Sequence, residues 1–166
     1  KDVSFGYGDE NILKDVSFSL AEKKTYALVG SSGGGKSTIA KLISGFYKIK
    51  DGEILIGGKN ISSYPQDALM KNVAFVFQNA KVFKKSIFEN VKMGNPKASD
   101  EEVRRAMKAA QCEPILARFK DGDATLIGSK GVHLSGGEVQ RIAIARAILK
   151  DAPIIILDEA SAATDP

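Results

Sequence analysis

A glycine-rich segment near residue 30 combines the residue types that bind phosphate. It consists of Gly30, Ser31, Ser32, Gly33, Gly34, Gly35, Lys36, Ser37 and Thr38. Glycines allow successive backbone N–H groups to converge on phosphate oxygens, and a helix that follows directs the positive end of its dipole at the same anion. Lys36 could then reach the outer phosphates of a nucleotide, and Ser37 could bind a magnesium ion. The alternative is a flexible glycine-rich turn without a ligand.

The elements predicted around this segment favour phosphate binding over a plain turn. Residues 25–29 form an apolar run that predicts a strand, and Ile39, Leu42 and Ile43 fall at helical spacing after the glycines. A strand, a glycine loop and a helix in this order are the context in which such a segment binds phosphate. We therefore predict that residues 30–38 bind a nucleotide.

Two acids at the end of another apolar run could complete the chemistry. Residues 154–157 are all isoleucine or leucine, which predicts a strand buried on both faces of a parallel sheet. Asp158 follows directly and could hold magnesium through water. Glu159 could act as the base for a water molecule that attacks the terminal phosphate. Without the glycine segment upstream, this pattern would carry little weight.

A second glycine motif lies far along the chain, at Leu134, Ser135, Gly136, Gly137 and Glu138. We predict that a helix begins here, with a hydroxyl, two glycines and free N–H groups facing one direction. A phosphate-binding loop needs only its own glycines and lysine to hold a nucleotide. The motif therefore predicts that another copy of the chain, or a close relative, supplies it to a shared nucleotide. The alternative is a serine-capped helix start without a ligand.

The composition is that of one globular domain. The chain has 166 residues, of which 43% are hydrophobic and 27% charged, and no apolar stretch approaches the ~20 residues needed to cross a bilayer. The formal net charge of +4 is scattered instead of forming a basic arm, so we expect no nucleic-acid partner. The single cysteine, Cys112, is expected to be a packing residue.

Helices dominate the predicted structure after about residue 86. Ser99 and Glu102 have the spacing of a capping box and begin a helix with one apolar face. Residues 142–149 predict another amphipathic helix, with Arg141 and Arg146 on its polar side.

The order of strands and helices predicts an α/β fold. Val16, Phe18 and Leu20 alternate with polar residues and predict one further strand, and residues 72–77 predict another. We expect a P-loop NTPase core with a mixed, largely parallel sheet and an inserted helical subdomain that carries the second glycine motif. Residues 1–166 are expected to form a single domain, with the core at residues 1–84 and 151–166 and the helical subdomain at residues 85–150.

These motifs, in this order, resemble the ATP-binding cassette family, the motor domains of membrane transporters. The resemblance covers nearly the whole chain and identifies residues 30–37 as the P-loop and residues 134–138 as the signature motif. It implies ATP and Mg²⁺ as cofactors. The catalytic residues it implies are Lys36, Gln78 and Glu159; the nucleotide-binding residues are Tyr7, Gly30, Ser31, Ser32, Gly33, Gly34, Gly35, Lys36, Ser37, Thr38, Ser135, Gly136, Gly137 and Glu138; the magnesium ligands are Ser37, Gln78 and Asp158.

Two of these roles depend on the family resemblance. Tyr7 resembles the family's adenine-stacking aromatic, with a surface tyrosine on an edge strand as the alternative. Gln78 resembles the glutamine that contacts magnesium and senses the transmembrane partner.

Several segments are similar to the exporter-type branch of the family. Residues 76–90 resemble the region near which the transmembrane coupling helices of exporters dock. Residues 125–131 resemble the loop before the signature motif, although Ser129 stands where glutamate is usual. Residues 160–165 resemble the D-loop, although Thr164 stands where leucine is typical.

The resemblance implies an ATP-hydrolysing motor domain of an exporter-type transporter. Two such domains would close head to tail around ATP, so the expected partners are a transmembrane domain and a second nucleotide-binding domain. The expected location is the cytoplasmic side of the cell membrane. One alternative is a soluble ATPase of the same family that acts in DNA repair or translation. Another is a nucleotide-binding fragment with little turnover.

The family's switch histidine lies downstream of the D-loop, and the chain ends at Pro166. The only histidine, His133, precedes the signature motif and is interpreted as a loop or capping residue. We therefore expect a chain truncated after the D-loop, which binds magnesium-ATP but hydrolyses it at least about 100-fold more slowly than a form extended through the histidine. No signal peptide is expected at Lys1.

Overall fold

A computed structural model describes residues 1–128 and 131–159. The chain divides into two compact units, Lys1–Lys71 and Asn72–Pro166. The first contains the P-loop, and the second contains Gln78, the signature motif and the two acids. The division into a core and a helical subdomain at residues 84/85 and 150/151 stays a prediction.

The core of the first unit is formed by one antiparallel strand pair and one helix. β1 (Val3–Phe5) pairs antiparallel with β2 (Leu13–Val16), and α1 (Lys36–Ile43) follows the P-loop. Val3, Leu13 and Leu42 are buried together and form the core that joins the pair to the helix. The remaining elements are the antiparallel pair β3 (Leu55–Ile56) and β4 (Lys59–Asn60), a 3₁₀ turn (Ile61–Ser63) and α2 (Gln66–Asn72).

Two predicted strands of the first unit differ from the structure. Residues 25–29 form no strand, and Val29 is 92% exposed. The predicted strand through Phe18 and Leu20 ends earlier, at Val16, and both side chains are about half exposed. A strand requires a hydrogen-bonded neighbour. In the described part of this unit, β1 pairs with β2 and β3 pairs with β4, and neither pair includes residues 25–29.

The second unit combines one parallel strand pair with a helical cluster. β5 (Val73–Val76) and β8 (Ile154–Leu157) run parallel, with Val73 beside Ile154 and Val76 beside Leu157. Between them along the chain lie β6 (Lys85–Ser86), α3 (Ile87–Lys92), α4 (Asp100–Ala109), α5 (Glu113–Ala117), a 3₁₀ turn (Gly122–Ala124), β7 (Leu126–Ile127) and α6 (Gly136–Lys150).

The capping box predicted at the start of α4 is confirmed. The Glu102 N–H donates to Ser99 Oγ at 3.2 Å, and the Ser99 N–H donates to Glu102 Oε2 at 2.6 Å. Val103 and Met107 on the predicted apolar face are buried in the helical cluster. Cys112 is also fully buried there, and burial raises the pKa of its thiol to about 11. The cysteine is therefore a packing residue, as predicted.

Strand β8 is less covered than its sequence predicts. Ile155 is 48% exposed and Leu157 is 53% exposed, so the strand is not buried on both faces. Among the described residues, β8 has β5 as its only hydrogen-bonded neighbour. An apolar strand with one neighbour keeps part of its surface open because side chains from a second neighbouring strand are lacking.

Arg146 does not lie on an exposed polar side of α6. Its Nε donates to the Asn90 carbonyl at 2.9 Å, and a second guanidinium nitrogen donates to Asn90 Oδ1 at 3.2 Å. Burial lowers the pKa of the Arg146 guanidinium. The prediction for Arg146 was wrong because a helical wheel cannot identify a buried carbonyl on another helix.

Replacing Asn90 with alanine is expected to lower the free energy of unfolding by about 2–4 kcal/mol. Asn90 is fully buried, and its side chain bonds both the N–H and the carbonyl of Phe83, at 2.8 and 3.0 Å, besides Arg146. The substitution leaves these buried groups unpaired. Urea unfolding provides the measurement. Asn95→Ala is the control, with an expected loss of at most about 1 kcal/mol, because this half-buried residue accepts a hydrogen bond from the Lys97 N–H. Equal losses would contradict the assignment.

Candidate nucleotide-binding site

The P-loop has the backbone form of an anion cradle that leads into a helix. Gly33 and Gly35 have φ values of 78° and 81°, in the left-handed region, and the Gly34 N–H donates to the Ser31 carbonyl at 3.1 Å. A Cβ atom added at Gly33 would meet nothing within 4 Å, so the loop surface is open there. A ligand can therefore approach the backbone closely at this point.

Gly35 also holds the P-loop against the core of the first unit. It is the residue that caps the start of α1, and its positive φ favours glycine. A Cβ atom at this position would lie 2.6 Å from a methyl carbon of Leu13. Leu13 is buried in the core of the first unit. Its side chain therefore packs directly against the start of α1 and determines how closely α1 approaches β2.

Lys36 occupies the first position of α1 and turns back over the loop. Its Nζ donates to the carbonyls of Gly30 at 3.0 Å and Ser31 at 2.7 Å. The ammonium group is thus held among the loop's own backbone groups. It can exchange carbonyl oxygens for phosphate oxygens, which are stronger acceptors because they are charged.

Ser37 and Thr38 complete the first turn of α1. Thr38 is buried, and its hydroxyl oxygen lies 3.4 Å from the hydroxyl oxygen of Tyr7. The Tyr7 ring is half exposed, and it makes edge-to-face contacts with Phe5 and Tyr47 at centroid distances of 5.2 and 5.0 Å. These neighbours support the ring, and about half of its surface stays exposed.

The signature motif begins α6, as predicted. Ser135 is the capping residue, and its hydroxyl accepts the Glu138 N–H at 3.3 Å. Glu138 Oε2 accepts the Ser135 N–H at 2.8 Å. Gly136 and Gly137 form the first turn without side chains that could cover the remaining N–H groups. The end of this 15-residue helix is therefore open to an anion at its backbone.

Gln78 and Glu159, which are 81 positions apart, meet in the second unit. Gln78 Nε2 donates a hydrogen bond to Glu159 Oε2. The two residues follow the ends of β5 and β8, and parallel pairing brings these ends together. The Asp158 N–H continues the ladder by donating to the Val76 carbonyl at 3.0 Å. Glu159 has a φ of 50°, which turns its backbone out of the strand direction.

No group of three or more histidine, cysteine or acidic side chains suited to a metal occurs within residues 1–128 and 131–159. The predicted magnesium ligands are of a different kind, because Ser37 offers a hydroxyl and Gln78 an amide oxygen. Serine and glutamine are not among the residue types of such a group. Oxygen donors of this kind suit Mg²⁺, which commonly keeps several waters and binds through one or two protein groups and substrate phosphates. Each predicted ligand, taken by itself, offers an oxygen donor of a kind that Mg²⁺ accepts.

Sequence reasoning missed two side chains that contact the site residues of the second unit. Arg118 forms a two-point ion pair with Glu138, 20 positions away, at 2.6 and 3.2 Å. Gln140, which is 2% exposed on α6, donates to the carbonyl of Phe77 at 3.4 Å, next to Gln78. Neither contact has a signal in local spacing. His133 is exposed in the loop before α6, and the D-loop prediction and Ser129 lie outside the described residues.

The chain is similar to ATP-binding/permease and transporter proteins. The chain is 44% identical over 164 residues to the mycobactin import ATP-binding/permease protein IrtB of Mycolicibacterium thermoresistibile, covering 99% of the chain and 28% of that protein. It is 46% identical to the mitochondrial iron-sulfur clusters transporter ATM1 of Saccharomyces cerevisiae, covering 99% of the chain and 24% of that protein. The chain thus spans about a quarter of the length of these relatives.

A solved structure and a family model agree with these relatives. The structure of a bacterial Atm1-family ABC exporter with ATP bound matches with a TM-score of 0.93 and 42% identity, over 99% of the chain and 29% of that protein. The ABC transporter family model matches residues 13–162. The chain therefore belongs to the ABC transporter family, and its fold is the α/β P-loop NTPase fold of the family's ATP-binding domain.

Proposed function

We propose that the chain binds and hydrolyses ATP as the motor of an exporter-type ABC transporter. The observation that carries the proposal is the position of Lys36, whose ammonium lies among the P-loop carbonyls at 2.7 and 3.0 Å where α1 begins. A bound polyphosphate there meets a fixed cation, backbone N–H groups and the positive end of a helix at once. Tyr7 would stack on the base.

The catalytic step would be the attack of a water molecule on the terminal phosphate, which breaks the bond to the bridging oxygen and releases ADP and inorganic phosphate. Glu159 accepts the proton of that water, and Gln78 orients Glu159 through the hydrogen bond between them. Ser37, Gln78 and Asp158 would hold Mg²⁺. The ion supplies positive charge that offsets the charge developing on the phosphate oxygens.

The signature motif would act on a nucleotide held by another copy. Ser135, Gly136, Gly137 and Glu138 form the start of one helix, and its open N–H groups suit the terminal phosphate of an ATP bound at a partner's P-loop. ATP would then join two ATP-binding domains head to tail. Hydrolysis would release them, and the movement would act on a transmembrane domain.

Within residues 1–128 and 131–159, none of the helices combines the length and the apolar character of a membrane span. The transmembrane domain is proposed from the relatives, which are named as ATP-binding/permease or transporter proteins. We propose that the ATP-binding domain lies on the cytoplasmic side of the membrane. Among these relatives, IrtB is named as an import protein and the Atm1-family structure as an exporter.

Membrane fractionation of the intact protein tests the transporter role. We expect its magnesium-dependent ATPase activity to pellet with membranes and to stay there after a wash with high salt, because a transmembrane domain would hold it. Lys36→Ala should pellet equally and lack the activity. Activity that stays in the supernatant would contradict the transporter role and favour a soluble ATPase of the same family.

A further inference from the structure

Glu138, the acidic residue of the signature motif, is ionised and lies beside Arg118, which belongs to none of the predicted motifs. Glu138 is in the first turn of α6, and its side chain is 15% exposed. Burial raises the pKa of Glu138, but the hydrogen bonds from Ser135 and the charge of Arg118 outweigh this effect, and the net pKa lies below its ordinary value. The carboxylate is therefore ionised at neutral pH.

An ionised carboxylate at this place has two opposite effects. It stabilises α6, because a negative charge is favourable at a helix N-terminus. It also repels a second anion at the same helix end, because like charges at short distance oppose each other. A signature motif that contains glutamate therefore needs a compensating charge if it is to receive a nucleotide phosphate.

Arg118 is placed to provide that compensation. It caps the C-terminal end of α5, and its guanidinium faces the carboxylate with two nitrogen–oxygen contacts of 2.6 and 3.2 Å. The guanidinium carbon lies 4.8 Å from the centre of the Phe119 ring, which supports it from the side. This two-point geometry fixes the cation relative to α6 more firmly than a single contact would.

We propose that Arg118 is a positioning residue, which neutralises Glu138 and so allows the start of α6 to accept the phosphate of a nucleotide. The inference rests on the proposed function of the signature motif. The proposed role of the Arg118–Glu138 pair differs from that of a purely structural ion pair in one respect. If charge is what matters, Arg118 becomes dispensable once Glu138 is uncharged, whereas a structural brace stays necessary.

The test is a double-substitution cycle on the intact protein, with phosphate release measured against magnesium-ATP concentration. Arg118→Ala is expected to raise the half-saturating ATP concentration about three- to tenfold, with the maximal rate within about twofold of the parent. In a Glu138→Gln background, the same substitution should change the half-saturating concentration less than about twofold. Arg118→Lys keeps the charge but not the two-point contact, so its half-saturating concentration should lie between those of the parent and of Arg118→Ala.

Arg104→Ala is the matched control, because Arg104 forms an exposed ion pair with Asp123 in the same unit, and it is expected to leave both parameters unchanged. An equal loss from Arg118→Ala in the parent and in the Glu138→Gln background would overturn the inference. So would a fall in the maximal rate at constant half-saturation, or a lysine variant as impaired as the alanine variant. The proposed function fails separately, if Lys36→Ala retains the activity of the parent.

Discussion

Replacing Lys36 with alanine is expected to weaken the binding of magnesium-ATP to the intact protein about ten- to a hundredfold. The substitution removes the cation that faces the phosphates, and a hydrogen bond to a charged group contributes roughly 1.5–3 kcal/mol. Lys36→Arg should not restore affinity, because a planar guanidinium does not fit where a compact ammonium bonds two neighbouring carbonyls. Titration calorimetry measures the effect.

Lys41→Ala is the control for this prediction. Lys41 lies in the last turn of the same helix, so its loss removes an equal charge without touching the P-loop. We expect its affinity for ATP to be that of the parent. Unchanged affinity in Lys36→Ala would contradict the assignment of residues 30–37 as the phosphate-binding loop.

Replacing Glu159 with glutamine is expected to slow hydrolysis about 100- to 10,000-fold while ATP binding stays within about threefold of the parent. The glutamine is nearly the same size, and its amide oxygen can still accept the hydrogen bond from Gln78. What it lacks is the ability to take a proton from water. Phosphate release at saturating magnesium-ATP measures the rate.

Glu101→Gln removes an equal charge from the exposed first turn of α4 and is expected to keep the parental rate. A Glu159→Gln protein that hydrolyses ATP at the parental rate would exclude Glu159 as the base. A loss of binding equal to the loss of rate would instead assign Glu159 a role in holding the nucleotide.

Local spacing was sufficient to predict several elements of the fold and the geometry of the signature motif. The capping box at Ser99 and Glu102 needs only two residues three positions apart, and the structure has both of its hydrogen bonds. The start of α6 at the signature motif was predicted in the same way. Such features depend on the chain's immediate neighbours, so the sequence contains the information directly.

Contacts between distant segments could not be predicted in this way. Residues 25–29 have the composition of a strand, but strand formation depends on a neighbour that composition cannot supply. Arg146 has the spacing of an exposed residue, but its guanidinium donates a partly buried hydrogen bond to the Asn90 carbonyl. The Arg118 ion pair joins residues 20 positions apart on different elements, and no motif marks it. The two wrong predictions and the missed ion pair have one cause, because tertiary contacts override local preference.

The signature motif is proposed to help hold a nucleotide that is bound at a P-loop, and nucleotide retention tests this role most directly. The measurement is the amount of ATP that the intact Glu159→Gln protein retains after rapid removal of free nucleotide, with and without Ser135→Arg. We predict that Glu159→Gln retains magnesium-ATP and that Ser135→Arg abolishes this retention while initial binding, which depends on Lys36, persists. Equal retention by both proteins would contradict the proposed role.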